Sequence, residues 1–205
     1  MSFYERHILP RLLDTACGIG PITKQREKVV PHAHGVVLEI GIGSGQNLPH
    51  YNPEKVSKII GVDPDEHIWK RSKARRAACP INVERIGLSG EDIPLEKNLV
   101  DSVVVTYSLC TIPDPVKALG EMTRILKPGG RIFFSEHGQA PDTGIKAWQG
   151  RIDPVWRKIA GGCHTGRDIP ALFRQAGLEF DTLEHMYIPG PKVLSYNYWG
   201  IAKAS

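Results

Sequence analysis

A run of apolar residues that ends in three closely spaced glycines constrains this chain more than any other stretch. Residues 36–40 read VVLEI and predict a strand buried on both faces of a sheet. Gly41, Gly43 and Gly45 follow, so the backbone can turn tightly and lie against a ligand. Their amides, and the N-terminus of a helix expected to open near Gln46, can receive a carboxylate or a phosphate. The stretch therefore predicts a ligand site at the end of a buried strand.

The glycine spacing distinguishes two classes of nucleotide site. A dinucleotide fingerprint reads GxGxxG, and counting from Gly41 its third glycine would fall at Gln46. The sequence instead matches ExGxGxG, with Glu39 inside the strand. The next predicted strand, 58–63, ends in Asp63, which is well placed to accept hydrogen bonds from two ribose hydroxyls. The pattern therefore disfavours a dehydrogenase.

Strands and helices alternate along the rest of the chain, which predicts a parallel sheet covered by helices. Further strands are expected over 81–86, 102–106, 131–136, 180–188 and 195–203, the last two forming a hairpin. Helices are expected over 67–78, 114–126 and about 166–176. We expect one domain over 1–205, in which two helices within 1–34 form an N-terminal lid and 35–205 form the core. An irregular insertion at about 138–165 is expected to cover the substrate.

Composition and charge exclude several classes of protein. The 205 residues carry a mild net charge of +4, and the basic cluster at 70–76 is typical of a solvated helix face, not of a nucleic-acid site. No apolar run reaches ~18 residues, and the N-terminus is too polar for a signal peptide, so we expect a cytoplasmic protein without stable membrane insertion. The four cysteines form no CxxC pair, which favours reduced thiols over a disulfide framework or a metal site.

The ExGxGxG turn with Asp63 resembles the class I methyltransferases that use S-adenosylmethionine (SAM). Further motifs resemble the methyltransferase-like thiol S-methyltransferases and their bacterial relatives. These motifs are LCTI at 109–112, LKPGG at 126–130, FSEH at 134–137, DPVW at 153–156 and GCHTGR at 162–167. The resemblance runs from about Lys24 onward. It implies an α/β, Rossmann-like fold with a seven-stranded, mostly parallel sheet, helices on both faces and an antiparallel last strand.

The resemblance also implies how the cofactor SAM is held. The glycine turn would hold its methionine portion, Asp63 its ribose, and the segment around Ser89 its adenine. The cofactor candidates are Glu39, Gly41, Gly43, Gly45, Asp63, Pro64, Ser89, Gly90, Glu91, Tyr107 and Ser108. Two alternatives stay open: Glu39 either positions the methionine ammonium group or holds loop amides, and Asp63 would also suit a helix N-cap ahead of Pro64.

The acceptor side is less specific in sequence. A thiol reacts as its thiolate, and a free thiol has a pKa of roughly 8.5, so a nearby base or cation favours reaction. His137, at the end of the fifth strand, is the catalytic candidate, with a hydrogen bond to loop backbone as the alternative. Cys163 is interpreted as a small packed residue, because direct transfer needs no covalent intermediate. The substrate candidates are Tyr4, Arg11, Cys110, Glu136 and Trp148, for which packing of helices or of an inserted segment is the alternative.

The resemblance implies direct, in-line transfer of a methyl group from SAM to a small-molecule acceptor, with a thiol as the leading candidate. The nearest rival within enzymes is methylation of nitrogen or oxygen, including phospholipid headgroups. A rival from another class is a SAM-binding module that regulates a partner without catalysis.

Overall fold

The computed structural model of the chain describes residues 3–204, so Met1, Ser2 and Ser205 of the predicted domain lie outside the described residues. Short helices precede a sheet whose strands alternate with further helices. The helices are α1 (Leu9–Cys17), α2 (Gly20–Arg26), α3 (Glu66–Lys70), α4 (Lys73–Ala78), α5 (Pro115–Ile125), α6 (Thr143–Ile159) and α7 (Ile169–Gln175). The strands are β1 (Gly35–Ile40), β2 (Val56–Val62), β3 (Asn82–Ile86), β4 (Val100–Thr106), β5 (Leu126–His137), β6 (Leu178–Tyr187) and β7 (Tyr196–Ala204).

The seven strands form one sheet in the order β3-β2-β1-β4-β5-β7-β6. The neighbouring strands β3, β2, β1, β4 and β5 pair in parallel, and β7 runs antiparallel to both β5 and β6. The predicted Rossmann-like fold class is thus confirmed. The strand order reverses between β1 and β4, whose carboxyl ends meet where Ile40 pairs with Val105. Open α/β sheets bind ligands at such a switch point.

Alternate side chains of the central strands enter two separate cores. Leu38 and Val103 pack on the face that α5 and α7 cover, together with Phe134. The intervening residues Val37 and Val104 point to the opposite face, where residues 29 and 30 help to close the core. This period of two explains why the strands read as continuous apolar runs, because both faces of a parallel sheet are buried.

The N-terminal helices are anchored by a carboxylate on α1. Asp14 pairs with Arg71 at 2.9 Å and with Arg75 at 3.0 Å, and it accepts a hydrogen bond from the side-chain amide of Gln46 at 2.7 Å. Two arginines of the predicted basic cluster therefore hold a helix of the same chain. None of the helices within residues 3–204 combines the length and apolar composition that a bilayer span requires.

The segment after the glycine turn differs from the prediction, because it forms only the 3-10 turn Leu48–His50 instead of an α-helix. Pro53 restricts Asn52 to extended backbone and has no N–H with which to continue a helix. The dipole of a regular helix is therefore missing where the sequence predicted it. The predicted helix over 67–78 is also divided at Ser72, whose buried hydroxyl donates to the carbonyl of Trp69 at 2.7 Å.

The predicted irregular insertion is largely a helix, α6, which spans Thr143–Ile159 and contains Pro154. Its one buried residue is Gln149, and the rest of the helix is largely exposed. The Gln149 side chain bonds to four backbone groups at 2.9–3.2 Å, those of Gly138, Ala140, Thr165 and Val193. A helix that is anchored through one side-chain amide needs no broad apolar stripe. The helix was not predicted because the sequence prediction depended on apolar periodicity.

Candidate active site

A cavity of about 410 Å³ lies at the carboxyl ends of the central strands. Its walls include residues 39–44 at the end of β1, 62–65 at the end of β2 and 106–108 at the end of β4. The N-terminal helices complete it on another side, through Leu9, Leu13, Cys17 and Arg26. A cavity of this size lies within the range of small-molecule sites, and it occupies the switch point of the sheet.

The glycine turn forms the floor of this cavity and tolerates no larger residue at Gly41. The φ angle of Gly41 is +72°, and a Cβ atom there would lie 2.0 Å from Oγ of Ser108. Gly43 also has a positive φ, and its amide donates a hydrogen bond of 2.9 Å to Oδ2 of Asp63. The turn after β1 is thereby tied to the end of β2.

Asp63 lines the cavity between two backbone donors. Besides the bond from Gly43, its Oδ1 accepts a hydrogen bond from the amide of Asp65 at 2.8 Å. Burial raises the pKa of Asp63, and the two amide bonds oppose that shift. The helix N-cap is Asp65, which accepts from the amides of His67 and Ile68, so the capping alternative for Asp63 is wrong. Each Asp63 oxygen retains a lone pair for a further donor.

Glu39 lies almost wholly buried beneath the turn and binds side chains. It accepts hydrogen bonds from the amide of Asn47 at 2.9 Å and from the hydroxyl of Tyr51 at 2.8 Å. Burial raises the pKa of Glu39 to about 7, although these bonds and the nearby Arg26 act in the opposite direction. The carboxyl group is thus fixed in place at the cavity wall.

Arg26 is a cavity residue that sequence reasoning missed. It reaches from α2 to the sheet, where it donates to Asn47 at 2.9 Å and to the hydroxyl of Thr106, and its guanidinium lies 5.1 Å from the ring centroid of Tyr107. Its Nε is buried and has no hydrogen-bond partner within residues 3–204. In the sequence Arg26 is one charge of the run 24–28, and nothing local distinguishes it from its neighbours.

Most of the other predicted cofactor residues also line the cavity. They are Pro64, Ser89, Gly90, Tyr107 and Ser108. Tyr107 adopts a positive φ of 52°, and its hydroxyl donates to Asn197 at 2.6 Å, which fixes the ring at the cavity wall. Gly45 and Glu91 are not among the lining residues. The Glu91 carboxylate instead accepts hydrogen bonds from Ser89 Oγ at 2.7 Å and from the amide of Asp114 at 2.6 Å.

A second group of reactive side chains, Cys110, His137 and Cys163, lies next to the cavity. Nε2 of His137 is 3.2 Å from Sγ of Cys163, and one ring nitrogen and the two sulfurs all lie within 4.8 Å of one another. A hydrogen bond from Cys163 and the nearby imidazole hold the pKa of Cys110 well below its usual value, against the effect of burial. The shared hydrogen bond, together with burial, raises the pKa of Cys163. Burial opposes charge on His137, but the Cys110 thiolate raises its pKa overall.

The structure therefore changes the interpretation of the cysteines. All four are free, as expected, but Cys163 contacts a histidine instead of only filling space. Cys110, His137 and Cys163 come from three separate segments, so no local spacing predicts the group. The GCHTGR motif at 162–167 is the one local signal, since it places a thiol in a turn.

Glu136, the residue before His137, binds the backbone of the turn after β4. It is fully buried, and Oε1 accepts hydrogen bonds from the amides of Ser108 at 2.8 Å and Leu109 at 3.1 Å. Burial raises the pKa of Glu136 to about 8. The adjacent His137 ring stacks against Tyr107, with centroids 6.4 Å apart and an interplanar angle of 17°. Glu136 thus positions the turn after β4, and Tyr107 connects the cavity to the thiols.

The remaining substrate candidates lie away from the cavity lining. Tyr4 donates a hydrogen bond of 2.6 Å to the carbonyl of Ile159, which joins the N-terminal segment to α6. Arg11 is exposed on α1. Trp148 is 55% exposed, and its ring lies 5.5 Å from the guanidinium of Arg151. The expectation that Trp148 walls an acceptor pocket does not match this position.

Comparisons with known proteins agree with this geometry. A family model described as a methyltransferase domain matches residues 38–134. The chain is 36% identical over 169 residues to the thiol S-methyltransferase TMT1B of Rattus norvegicus, which covers 77% of this chain and 68% of that relative. A SAM-dependent methyltransferase of Leishmania major superposes with a TM-score of 0.70 at 18% identity, covering 98% of this chain and 80% of that chain. Geranyl diphosphate methyltransferase in complex with SAM also gives 0.70, at 16% identity, covering 89% and 85%.

Proposed function

Because the chain belongs to the class I SAM-dependent methyltransferases, we propose that it methylates a small thiol. The observation that carries this proposal is the similarity to thiol S-methyltransferases, which extends over 77% of the chain. The geometry supports it, because an imidazole and two sulfur atoms lie together next to the cavity, whose lining includes the nearby Tyr107, Thr111 and Gly161. The imidazole can act as the nearby base or cation that favours reaction of an acceptor thiol.

The cavity residues fit the methyl donor. SAM supplies a methyl group that its positive sulfur has already activated. In the proposed arrangement Asp63 accepts the ribose hydroxyls, and the turn at 41–45 lies along the methionine portion. Arg26 lines the cavity and would supply positive charge for the methionine carboxylate, and the Glu39 carboxyl group, which also lines it, would accept from the ammonium group. The N-terminal helices exclude water from this side of the cavity.

The acceptor is proposed to approach from the side of His137. The ring stacks on Tyr107, which lines the cavity, so a sulfur atom held beside the imidazole lies next to the donor site. Direct transfer depends on this proximity, because the two reacting atoms must be held at near-attack distance. Cys110 and Cys163 lie beside His137 and would form part of the surface that the acceptor sulfur contacts.

A product assay tests the acceptor class. The protein is incubated with SAM and, in parallel, with small alkyl thiols, amines, phenols and phospholipid vesicles, and the mass of each methylated product is measured. We expect a methyl thioether from the thiols. Methylation of vesicles or amines with no product from thiols would replace the thiol proposal, and SAM binding without any product would favour a regulatory module.

A pair of histidine variants tests the location of the acceptor. We expect His137→Gln to lower kcat/KM for the thiol by about 10²–10⁴-fold, the range for loss of a positioned catalytic group, while the affinity for S-adenosylhomocysteine is retained. His185→Gln is the matched control, because His185 is exposed on the edge strand β6. Equal activity of both variants would place the acceptor elsewhere.

A further inference from the structure

Two sulfurs and one imidazole nitrogen beside the cavity have the spacing of a metal-ligand set. The candidate atoms of Cys110, His137 and Cys163 lie within 4.8 Å of one another. Tetrahedral zinc, with bonds of about 2.3 Å to sulfur and about 2.1 Å to nitrogen, holds such atoms roughly 3.6–3.8 Å apart. The ligand atoms therefore need only small adjustments to surround an ion.

We propose that Cys110, His137 and Cys163 bind a zinc ion, and that the sulfur of the acceptor thiol becomes its fourth ligand. This inference rests on the proposed thiol substrate. Thiolate and imidazole ligands select zinc over hard cations such as magnesium and calcium. Structural zinc sites are closed by four protein ligands, whereas catalytic sites have three and an open position. Within residues 3–204 the group contains three such side chains, which corresponds to the open type.

The group is accessible and adjacent to the donor cavity. His137 and Cys163 are only half-buried, whereas Cys110 lies in the interior. Thr111, the residue after Cys110, lines the cavity, as does Gly161, two residues before Cys163. An acceptor bound at the open position would therefore lie beside the donor site.

Hydrogen bonds hold the segments that carry the two cysteines. The amide of His164 donates to the carbonyl of Cys110 at 2.9 Å, which joins the turn after β4 to the loop after α6. Asp153 lies 3.1 Å from Nδ1 of His164, and Arg167 donates to the carbonyl of Ile112 at 2.7 Å. These contacts fix the backbone of the two segments that carry Cys110 and Cys163.

Coordination explains how the acceptor becomes reactive. A thiol bound to zinc is deprotonated outright, so its proton leaves to solvent as the Zn–S bond forms. A lone pair on that sulfur then forms the new bond to the methyl carbon. The electron pair of the broken bond stays on the donor sulfur, and the products are S-adenosylhomocysteine and the methyl thioether. No oxidant or reductant is needed, and His137 acts in this scheme as a metal ligand.

Metal analysis tests the site without reference to activity. The chain is purified with a phosphine reductant, and zinc is measured by mass spectrometry before and after dialysis against a chelator. We expect one zinc per chain, and at least ~100-fold weaker zinc binding in Cys110→Ser and Cys163→Ser, which each remove a direct ligand. Cys79→Ser is the matched control, because Cys79 lies outside the group. S-adenosylhomocysteine binding and circular dichroism confirm that the variants fold.

Cobalt substitution tests the fourth position. The zinc-free chain is titrated with Co²⁺, and thiolate-to-cobalt charge transfer is recorded before and after addition of 2-mercaptoethanol. We expect the band to intensify, because a further thiolate joins the two from the protein, and ethylene glycol should cause no change. The donor is absent, so this readout does not depend on methyl transfer.

The outcomes separate this inference from the proposed function. Zinc binding that the two ligand variants lose, together with a cobalt response to the thiol, supports the inference. Absence of metal binding, or a disulfide between Cys110 and Cys163 in its place, overturns it, while thiol methylation by the metal-free chain leaves the proposed function standing. If Co²⁺ binds but its charge-transfer band does not change on addition of 2-mercaptoethanol, the proposal that the acceptor thiol is the fourth ligand is overturned. Failure of the product assay with thiols overturns the proposed function itself.

Discussion

Replacement of Asp63 by asparagine tests the assignment of the donor site. The carboxylate accepts from the amides of Gly43 at 2.9 Å and Asp65 at 2.8 Å, and in the proposed arrangement it also accepts from two ribose hydroxyls. Asparagine keeps the shape but retains only one acceptor oxygen and no charge. Hydrogen bonds to charged groups contribute about 1.5–3 kcal/mol each, so losing one and weakening the other should cost about 3 kcal/mol, or roughly 100-fold in Kd.

Stability should change much less than affinity. One amide bond is lost, but the cost of a buried charge is removed with it, so we expect the free energy of unfolding to change by less than about 1 kcal/mol. Isothermal titration with S-adenosylhomocysteine measures Kd, and urea unfolding measures stability. Asp101→Asn is the matched control, because Asp101 accepts from the amide of Val36 at 2.8 Å at the opposite end of the sheet. That variant should lose stability and keep its affinity.

A ligand variant makes the test specific to the ribose. Wild type should bind the 2′-deoxyribose analogue of S-adenosylhomocysteine more weakly, whereas Asp63→Asn should lose much less on the same change. A coupling free energy of about 1 kcal/mol or more is expected for groups in contact. If the free-energy losses from Asp63→Asn and from removal of the 2′-hydroxyl are instead additive to within ~0.5 kcal/mol in the doubly changed complex, Asp63 does not bind the ribose and the reasoning is refuted.

Three further changes test the structure around the site. Because burial raises the pKa of Glu39 from 4.5 to about 7, the native state holds more protons than the unfolded chain between these values. The free energy of unfolding should therefore fall by up to ~3 kcal/mol as pH rises through this window, and less in Glu39→Gln, as measured by urea titration at each pH. Gly41→Ala should destabilise the chain by at least about 2 kcal/mol, whereas Gly120→Ala, in an open position of α5, should stabilise it by roughly 0.5–1 kcal/mol in the same assay. Asp153→Ala removes an acceptor for the amide of Thr165 at 2.8 Å, two residues after Cys163. It should weaken Co²⁺ binding by about 5-fold, the equivalent of the ~1 kcal/mol that one hydrogen bond contributes, so an unchanged titration would mean that this loop does not support the metal.

The cavity wall proposed to bind the donor could be predicted from sequence because its residues are local. The turn at 41–45 and Asp63 each follow directly from a buried strand, and strand order then places them side by side. Gly41 needs a positive φ, and its own residue type signals that requirement. Arg26 could not be found in this way, because its role depends on where α2 packs.

The proposed acceptor half depends on contacts between distant parts of the chain. His137 stands 27 residues after Cys110 and 26 before Cys163, and no periodicity relates these positions. α6 was missed because Pro154 is normally a helix breaker and the helix carries little buried apolar surface. Its position is set by hydrogen bonds of Gln149, a type of anchor that leaves no pattern in sequence.

The place of β7 between β5 and β6 sets the order in which the sheet is completed during translation. β6 leaves the ribosome first, but it joins the sheet by hydrogen bonds to β7. Until residues 196–204 are made, β5 has an open edge at which a nascent chain can pair with another. A premature stop codon before β7 would therefore detach two strands at once. It would also remove Asn197, the partner of His137 in the sheet, so truncation before β7 would disturb the proposed acceptor side from a distance.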